Sequence, residues 1–268
     1  MTSDEHAADL SDSSIYRLEP DVIAPALPGR VVVRPDEEDL HSALGAEMLI
    51  HANNCVRTFG DFHVALSGGS TPMPFYRRLM VDPAYRTFPW AETHLWIVDE
   101  RCVPEDDKLS NFGQIRDYLV GHSDIPESNV HPMPVLEDDG DERYERELQA
   151  ALAWREKGHD RLDFVLLGMG SDGHTASLFP QTASLAIDDR LVVRVDVDAT
   201  PRERMTMTYP LLNAARYVAV LVKGEGKRPI ITRILAGEDD IRSLPILGIR
   251  PIGDGVMTWF LDHDACPR

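Results

Sequence analysis

A cluster of glycine and hydroxyl residues follows an apolar run in the segment LSGGSTPMPFYRRL, residues 66–79. The cluster consists of Ser67, Gly68, Gly69, Ser70 and Thr71. Pro72 comes next, where the missing N–H of a first helical residue costs nothing. Backbone N–H groups at a helix N-terminus, beside two hydroxyls, can hold an anion. A tight turn in which Ser70 or Thr71 caps the helix is the alternative, and the GK[ST] ending of a Walker A loop is absent.

A second polar cluster, DERCVPEDDKLSNF, follows the apolar run WIV. Asp99, Glu100 and Arg101 come directly at the predicted strand end, and Ser110 with Asn111 opens the next helix. Two acids beside an arginine can supply a base, a hydroxyl acceptor and a clamp for an oxyanion. A salt-bridge cluster at the surface would explain the same spacing equally well.

The third cluster lies in FVLLGMGSDGHTASLFP, whose glycines have the G-x-G-x-x-G spacing of a dinucleotide-binding loop. Such a loop must open a long helix, but Pro180 follows soon after Gly173, and Asp172 would place a carboxylate against the pyrophosphate. We therefore reject a nicotinamide cofactor. Asp172 and His174 instead form a titratable pair after a buried strand, and histidine is suited to proton transfer near neutral pH.

These three loops require a scaffold that brings strand ends together. Short apolar runs alternate with longer helical patterns, which predicts an α/β protein. The predicted strands cover residues 30–34, 62–66, 93–98, 162–168, 191–197 and 217–222. The predicted helices cover 36–58, 72–81, 110–120, 138–157 and 225–236, with Asp36, Ser110 and Asp138 as N-caps. The expected fold is a three-layer, open, mostly parallel twisted sheet of Rossmann-like type with helices on both faces, which binds ligands beyond the carboxyl ends of its strands.

Composition limits the partners. The chain has 268 residues and a net charge of -18, from 27 Lys and Arg against 45 Asp and Glu. This argues against nucleic acid or an anionic membrane, and a phosphorylated ligand would need a locally basic pocket. Few cysteines, no signal-peptide pattern and no long apolar run predict a soluble, cytoplasmic protein. We expect a partly disordered tail over residues 1–28 and a single domain over 29–268.

Three motifs, taken in order, resemble those of the 6-phosphogluconolactonases: LSGGSTP, DERCVPEDDKLSNF and LGMGSDGHTASLFP. The likeness extends from about RVVVR to MTWFLDHDA near the C-terminus. The wider family includes glucosamine-6-phosphate deaminases, which share the fold and the Gly-Ser-Thr loop. In the deaminases a run of the type Ile-Ala-Phe-Asn takes the place of TASLFP, so the resemblance favours the hydrolase branch.

The resemblance also implies a phosphate site. Arg204 in RERMTMTYPLLNAAR and Lys227 in VKGEGKRPII match basic residues that would reach the substrate phosphate, together with the backbone and hydroxyls of the first loop. The loop residues in that site are Gly68, Gly69, Ser70 and Thr71. These groups would supply the local positive charge that the acidic chain as a whole lacks.

Hydrolysis of a lactone needs a positioned water, a base and a group that stabilises the oxyanion. His174 is the predicted general base, Arg101 the predicted contact to the oxyanion or a hydroxyl, and Asp172 the group that orients the imidazole. Asp99 is a further catalytic candidate, and Asp99 and Asp172 are the alternative bases. Ser70 is rejected as a nucleophile because no G-x-S-x-G elbow surrounds it. No metal and no cofactor are expected.

Three functional hypotheses remain open at this point. The first is hydrolysis of 6-phospho-D-glucono-1,5-lactone to 6-phospho-D-gluconate in the oxidative pentose phosphate pathway. The second is a deaminase or isomerase acting on an amino sugar phosphate. The third is a sugar-phosphate sensor, although the residues before Arg30 are too few for the helix-turn-helix that such a regulator usually carries. The oligomeric state is left open, with a monomer as the working expectation.

Overall fold

The computed structural model describes residues 22–267, and within them the chain forms ten β-strands and six α-helices. The strands are β1 (Arg30–Arg34), β2 (Phe62–Leu66), β3 (Thr93–Ile97), β4 (Asp99–Arg101), β5 (Val130–His131), β6 (Phe164–Gly168), β7 (Val192–Asp196), β8 (Glu203–Met207), β9 (Tyr217–Val222) and β10 (Val256–Asp262). The helices are α1 (Glu37–Phe59), α2 (Met73–Val81), α3 (Asn111–Tyr118), α4 (Gly140–Leu152), α5 (Tyr209–Ala214) and α6 (Arg228–Ala236).

The tail expected over residues 1–28 lies outside the described residues as far as position 21. From residue 22 to residue 28 the chain has no regular secondary structure. Leu27 is nevertheless buried, and the carbonyl of Pro28 accepts a hydrogen bond of 2.8 Å from Trp259 Nε1. This stretch therefore packs against the sheet, and the division into a tail and one domain stays a prediction.

Seven strands form the central sheet in the order β1-β10-β9-β6-β2-β3-β5. Every neighbouring pair in this sheet is parallel. Each residue of β2 and β9 is buried, as expected for central strands that are covered on both faces. Helix α1 packs against β1, β2 and β10. The predicted α/β class with an open, parallel sheet is confirmed.

The sheet order changes direction between β2 and β6. From β2 the chain proceeds outward through β3 and β5, whereas β6, β9 and β10 extend to the other side. An open sheet has a crevice at such a switch point, because the loops after the two strands leave in opposite directions. The loops that follow β2 and β6 contain the first and third polar clusters, so the topology brings these two clusters together.

A separate antiparallel sheet consists of β4, β8 and β7. The strand predicted over residues 191–197 is confirmed as β7, but it belongs to this smaller sheet and not to the parallel one. In β7, Arg194 and Asp196 alternate with valines, and only its first two residues are fully buried. This alternation is typical of an antiparallel strand with one solvated face, but the apolar content of the run concealed it. Strands β4, β5, β8 and β10 and helix α5 had no prediction.

The helix starts confirm two of the three predicted caps. Asp36 accepts a hydrogen bond from the backbone N of Asp39, and Ser110 accepts one from the backbone N of Gly113. The prediction for Asp138 was wrong, since α4 begins two residues later without a side-chain cap. Between residues 22 and 267, no helix combines the length and apolar character needed to cross a bilayer.

Candidate active site

A cavity of about 240 Å³ opens at the carboxyl ends of the strands around the switch point. All but one of the residues predicted for the site line this cavity: Gly68, Gly69, Ser70, Thr71, Asp99, Arg101, His174, Arg204 and Lys227. The exception is Asp172, which contacts His174 from outside the cavity wall. Because β3, β2, β6 and β9 are consecutive in the sheet, the segments that follow them meet here.

The loop after β2 is held in a fixed shape. The backbone N of Ser67 donates to Leu166 O at 3.2 Å, and Ser67 O accepts from the hydroxyl of Tyr76 at 2.7 Å. Gly69 has φ +91°, which glycine adopts without strain. Helix α2 follows Pro72 and no side chain caps it, so the alternative in which Ser70 or Thr71 serves as a cap does not hold. Ser70, Thr71 and Pro72, at the start of α2, line the cavity, where a helix N-terminus favours an anion.

The two arginines of the site are direct partners across β4 and β8. Arg101 pairs with Arg204 in this antiparallel ladder, so both side chains project from the same face. Arg101 Nη1 donates to Leu109 O at 2.7 Å, and Arg204 Nε donates to Pro201 O at 2.8 Å. Burial and the charge of Arg101 lower the pKa of Arg204. Like charges directly opposite each other are unfavourable, and an anion between them would remove that cost.

Lys227 adds a third positive charge to the cavity wall. Its Nζ donates to Met169 O at 2.5 Å, which ties the segment after β9 to the segment after β6. Burial lowers the pKa of the Lys227 ammonium group, while the charge of Asp172 opposes that shift. Together with the two arginines, Lys227 makes the cavity locally basic in a chain whose net charge is -18.

His174 and Asp172 form a hydrogen-bonded pair after β6. His174 Nδ1 lies 2.6 Å from Asp172 Oδ1, and the backbone N of His174 donates to the same oxygen at 3.1 Å. Burial raises the pKa of Asp172, but the hydrogen bonds and charge of His174 outweigh it and lower that pKa to about 2. An ionised carboxylate only accepts hydrogen bonds, so Nδ1 carries the proton and the neutral ring has its lone pair on Nε2. The ring also stacks on Phe179, at a centroid distance of 4.2 Å.

The acids of the second cluster have separate surroundings. Asp99 lines the cavity, and its Oδ2 accepts a hydrogen bond of 2.6 Å from Ser177 Oγ. Glu100 is buried and accepts from the hydroxyl of Ser110 and from the backbone N of Asn111. Burial raises the pKa of Glu100, although its backbone hydrogen bonds oppose that effect. A salt-bridge cluster at the surface therefore does not describe these residues.

Three buried polar atoms in the cavity wall have no hydrogen-bond partner among residues 22–267. They are Ser67 Oγ, Arg101 Nε and Asn111 Oδ1. Buried polar groups are almost always paired, so atoms of this kind beside a cavity are candidates for contact with a ligand. Asn111 was not among the residues predicted for the site from the sequence. Its position directly after a helix cap, close to the polar strand end, was the available signal.

A possible metal-ligand cluster lies near the amino ends of β2 and β3, away from the cavity. Asp61, His63 and His94 bring ligand atoms within 4.8 Å of one another, a grouping that sequence spacing did not show. Trp96 Nε1 donates to His63 Nδ1, so His63 Nε2 carries a proton and donates to Asp61 Oδ2 at 3.0 Å. Asp61 also pairs with the buried guanidinium of Arg155. His63 therefore has no free lone pair, and the cluster does not fit a metal ion.

Known proteins resemble this chain over most of its length. Residues 35–259 match the family described as glucosamine-6-phosphate isomerases/6-phosphogluconolactonase. A 6-phosphogluconolactonase from Nostoc sp. is 37% identical over 238 residues, which is 88% of this chain and 96% of that protein. The crystal structure of 6-phosphogluconolactonase from Thermotoga maritima has a TM-score of 0.73 and 30% identity, covering 87% of this chain and 99% of that one.

A longer relative also matches. The GDH/6PGL endoplasmic bifunctional protein of Homo sapiens is 44% identical over 236 residues, which is 85% of this chain. The chain spans only 29% of the length of that protein. The match therefore concerns one part of a larger polypeptide. From the family match across most of its length, this chain belongs to the glucosamine-6-phosphate isomerase/6-phosphogluconolactonase family.

Proposed function

We propose that this chain hydrolyses 6-phospho-D-glucono-1,5-lactone to 6-phospho-D-gluconate in the oxidative pentose phosphate pathway. The observation that carries the proposal is the placement of His174, with its Nε2 lone pair free, in the same cavity as three cationic side chains. A base and an anion site within one small cavity suit a substrate that has a reactive carbonyl and a phosphate. The names of the full-length relatives support the same reaction.

In this proposal the phosphate lies between the loop after β2 and the basic side chains. Backbone N–H groups of Gly68 and Gly69 and the hydroxyls of Ser70 and Thr71 donate to the phosphate oxygens. Arg204 and Lys227 supply the charge. Because the protein is strongly acidic overall, long-range attraction does not assist binding, and affinity depends on close, charge-assisted hydrogen bonds.

The chemical step uses the lone pair on His174 Nε2. A water molecule loses a proton to Nε2 while its oxygen attacks the lactone carbonyl, which gives a tetrahedral oxyanion. The Arg101 guanidinium, whose Nε has no hydrogen-bond partner among the described residues, stabilises the negative charge. When the intermediate collapses, the bond to the ring oxygen breaks and the imidazolium returns its proton to that oxygen. Asp172 stabilises the imidazolium between these two transfers, and Asp99 offers a carboxylate to a substrate hydroxyl.

The proposal extends to cofactor need, oligomeric state and cellular compartment. We propose that the enzyme needs no metal or cofactor, acts as a monomer and works in the cytoplasm. The low number of cysteines supports a reducing compartment. The net charge supports a small-molecule substrate over nucleic acid or an anionic membrane.

The decisive experiment measures acid release from freshly prepared 6-phosphogluconolactone, corrected for spontaneous ring opening, beside ammonia release from glucosamine 6-phosphate. Rapid acid release without ammonia is the expected result. Ammonia release would assign the chain to the deaminase branch. Binding of both sugar phosphates without turnover of either would indicate a sensor and contradict the proposal.

A further inference from the structure

Asn111 is a buried residue that the proposed chemical step does not use. It is the first residue of α3, is 2% exposed, and lines the cavity. Its side-chain Nδ2 donates to Asp99 O at 2.6 Å. Since only the amide nitrogen can donate to a carbonyl, this bond fixes the orientation of the amide. The other amide atom, Oδ1, is buried and has no hydrogen-bond partner in the described part of the chain.

The surrounding residues hold Asn111 in this position. The Glu100 carboxylate accepts from the backbone N of Asn111 at 2.8 Å and from the backbone N of Phe112 at 2.7 Å, so the first turn of α3 is anchored. Gly68 lies directly against the amide of Asn111. A Cβ at position 68 would overlap Asn111 Oδ1, so only a glycine leaves room for the amide there. Glu100 and Gly68 thus accommodate one amide oxygen that accepts no hydrogen bond from residues 22–267.

The chemistry of Oδ1 differs from that of the basic residues in the cavity. Arg101, Arg204 and Lys227 only donate hydrogen bonds and suit anionic oxygens. Asn111 Oδ1 is an acceptor, so its partner must donate a hydrogen bond. A buried carbonyl oxygen left without a donor is costly, and a ligand that supplies one recovers that cost. The neutral donors on a sugar lactone are its ring hydroxyls.

We infer that Asn111 Oδ1 accepts a hydrogen bond from one ring hydroxyl of the phosphorylated lactone and so determines specificity for the hydroxylated sugar. This inference rests on the proposed function, since it names a contact to the same substrate. The contact is neutral, and it lies beside Gly68, at the edge of the proposed phosphate site. It therefore fixes the rotation of the ring about its phosphate anchor and the approach of the carbonyl to His174.

The test compares substrates as well as variants. The 1,5-lactone of 6-phosphogluconate has free hydroxyls on carbons 2, 3 and 4, so three deoxy lactones remove them one at a time. For wild-type protein, kcat/KM should fall at least about tenfold with one of the three analogues. In Asn111→Ala, kcat/KM for the full lactone should fall by a similar factor, and the preference over that analogue should shrink to within about threefold.

Gln114→Ala is the matched control. Gln114 lies on the same helix, and its amide nitrogen donates to the carbonyls of Lys108 and Ser110. It should keep the wild-type preference for the hydroxylated lactone. If Asn111→Ala lowers kcat/KM equally for the full lactone and for all three analogues, Asn111 has only a structural role and the inference is wrong.

Calorimetry with 6-phosphogluconate and its deoxy counterparts separates this inference from the proposed function. A wild-type protein that does not hydrolyse the lactone contradicts the proposed function. The same protein would still support the role of Asn111 if one hydroxyl improved binding at least about tenfold and Asn111→Ala removed that gain. Equal affinity of the wild type for all four acids, with no effect of a missing hydroxyl on turnover, would overturn the inference.

Discussion

His174 Nδ1 and Asp172 Oδ1 lie 2.6 Å apart, and this distance determines which nitrogen of the imidazole can act as a base. The low pKa of Asp172, about 2, keeps its carboxylate ionised and therefore an acceptor. The lone pair of the neutral ring is then on Nε2, and stacking on Phe179 restrains the ring. Asp172 therefore orients the imidazole of His174 without itself belonging to the cavity wall.

Asp172→Asn should lower kcat by about a hundredfold or more with little change in KM. The introduced amide can donate to Nδ1, which would stabilise the tautomer with the proton on Nε2 and remove the base. Steady-state kinetics at neutral pH checks this. Asp160→Asn is the control, because Asp160 also accepts a local backbone hydrogen bond, from Gly158, in an exposed turn away from the cavity. Wild-type kcat in Asp172→Asn would contradict the orienting role.

Arg204→Ala and Lys227→Ala should weaken substrate binding more than they slow turnover. Loss of one charge-assisted contact corresponds to about 1.5 to 3 kcal/mol, so KM should rise roughly tenfold to 150-fold. Calorimetry with 6-phosphogluconate should show the same loss. Arg202→Ala should retain wild-type values, since Arg202 is exposed and pairs with Asp196. Unchanged affinity in both cavity variants would remove Arg204 and Lys227 from the phosphate site.

Gly68→Ala should destabilise the protein through Asn111. The added methyl group would overlap Asn111 Oδ1, and forced overpacking of this kind costs about 1 to 3 kcal/mol. Asn111→Gly removes both the amide and the Cβ of residue 111, which would lie 2.5 Å from the added methyl group. In that background the same change should cost at least about 1 kcal/mol less. Urea unfolding of the two single variants and the double variant measures this coupling. Additive losses would show that the two residues do not compete for one space.

His41 should make stability depend on pH. It is buried, and burial lowers its pKa to about 4, with Glu37 opposing and Lys223 and Arg78 assisting the shift. The unfolded chain binds this proton near the ordinary pKa of 6.5, so the free energy of unfolding falls as pH drops from about 6.5 towards 4.

Between pH 7.5 and pH 5, wild-type protein should therefore lose about 1 to 2 kcal/mol more than His41→Leu does. Urea denaturation at both pH values measures the difference. His122→Leu makes the same change at an exposed position and should follow the wild type. An identical pH dependence in wild-type protein and His41→Leu would contradict the prediction.

The sequence predicted five of the seven strands of the parallel sheet, because these five are continuous apolar runs with helical patterns between them. Strands β5 and β10 were not predicted. Segments 62–66 and 217–222 coincide with β2 and β9, whose residues are all buried. The antiparallel sheet was missed because β4 has only three residues and β8 has no marked apolar run. Pairing between these two strands is a long-range contact, which local sequence patterns do not contain.

Some residues of the candidate site could be predicted from local sequence patterns, and others could not. Its strand-end loops could be located from glycines, hydroxyls and acids that directly follow apolar runs, since parallel strands share one carboxyl edge. Arg204 was predicted as a site residue only from the family resemblance. Its position opposite Arg101 depends on β8, which was not predicted. Asn111 was not assigned, since an unpartnered amide oxygen becomes apparent only when its neighbours are placed. The catalytic and binding roles stay predictions.

The most direct test of the proposed mechanism is the kcat of His174→Ala on freshly prepared 6-phosphogluconolactone. A positioned general base contributes about a hundredfold to ten-thousandfold, so kcat should fall by that factor while KM stays near the wild-type value, because the phosphate contacts remain. Unchanged affinity for 6-phosphogluconate, measured by calorimetry, would show that the variant is folded. If His174→Ala kept near-wild-type kcat, His174 would not be the base, and Asp99 or Asp172 would have to take that role.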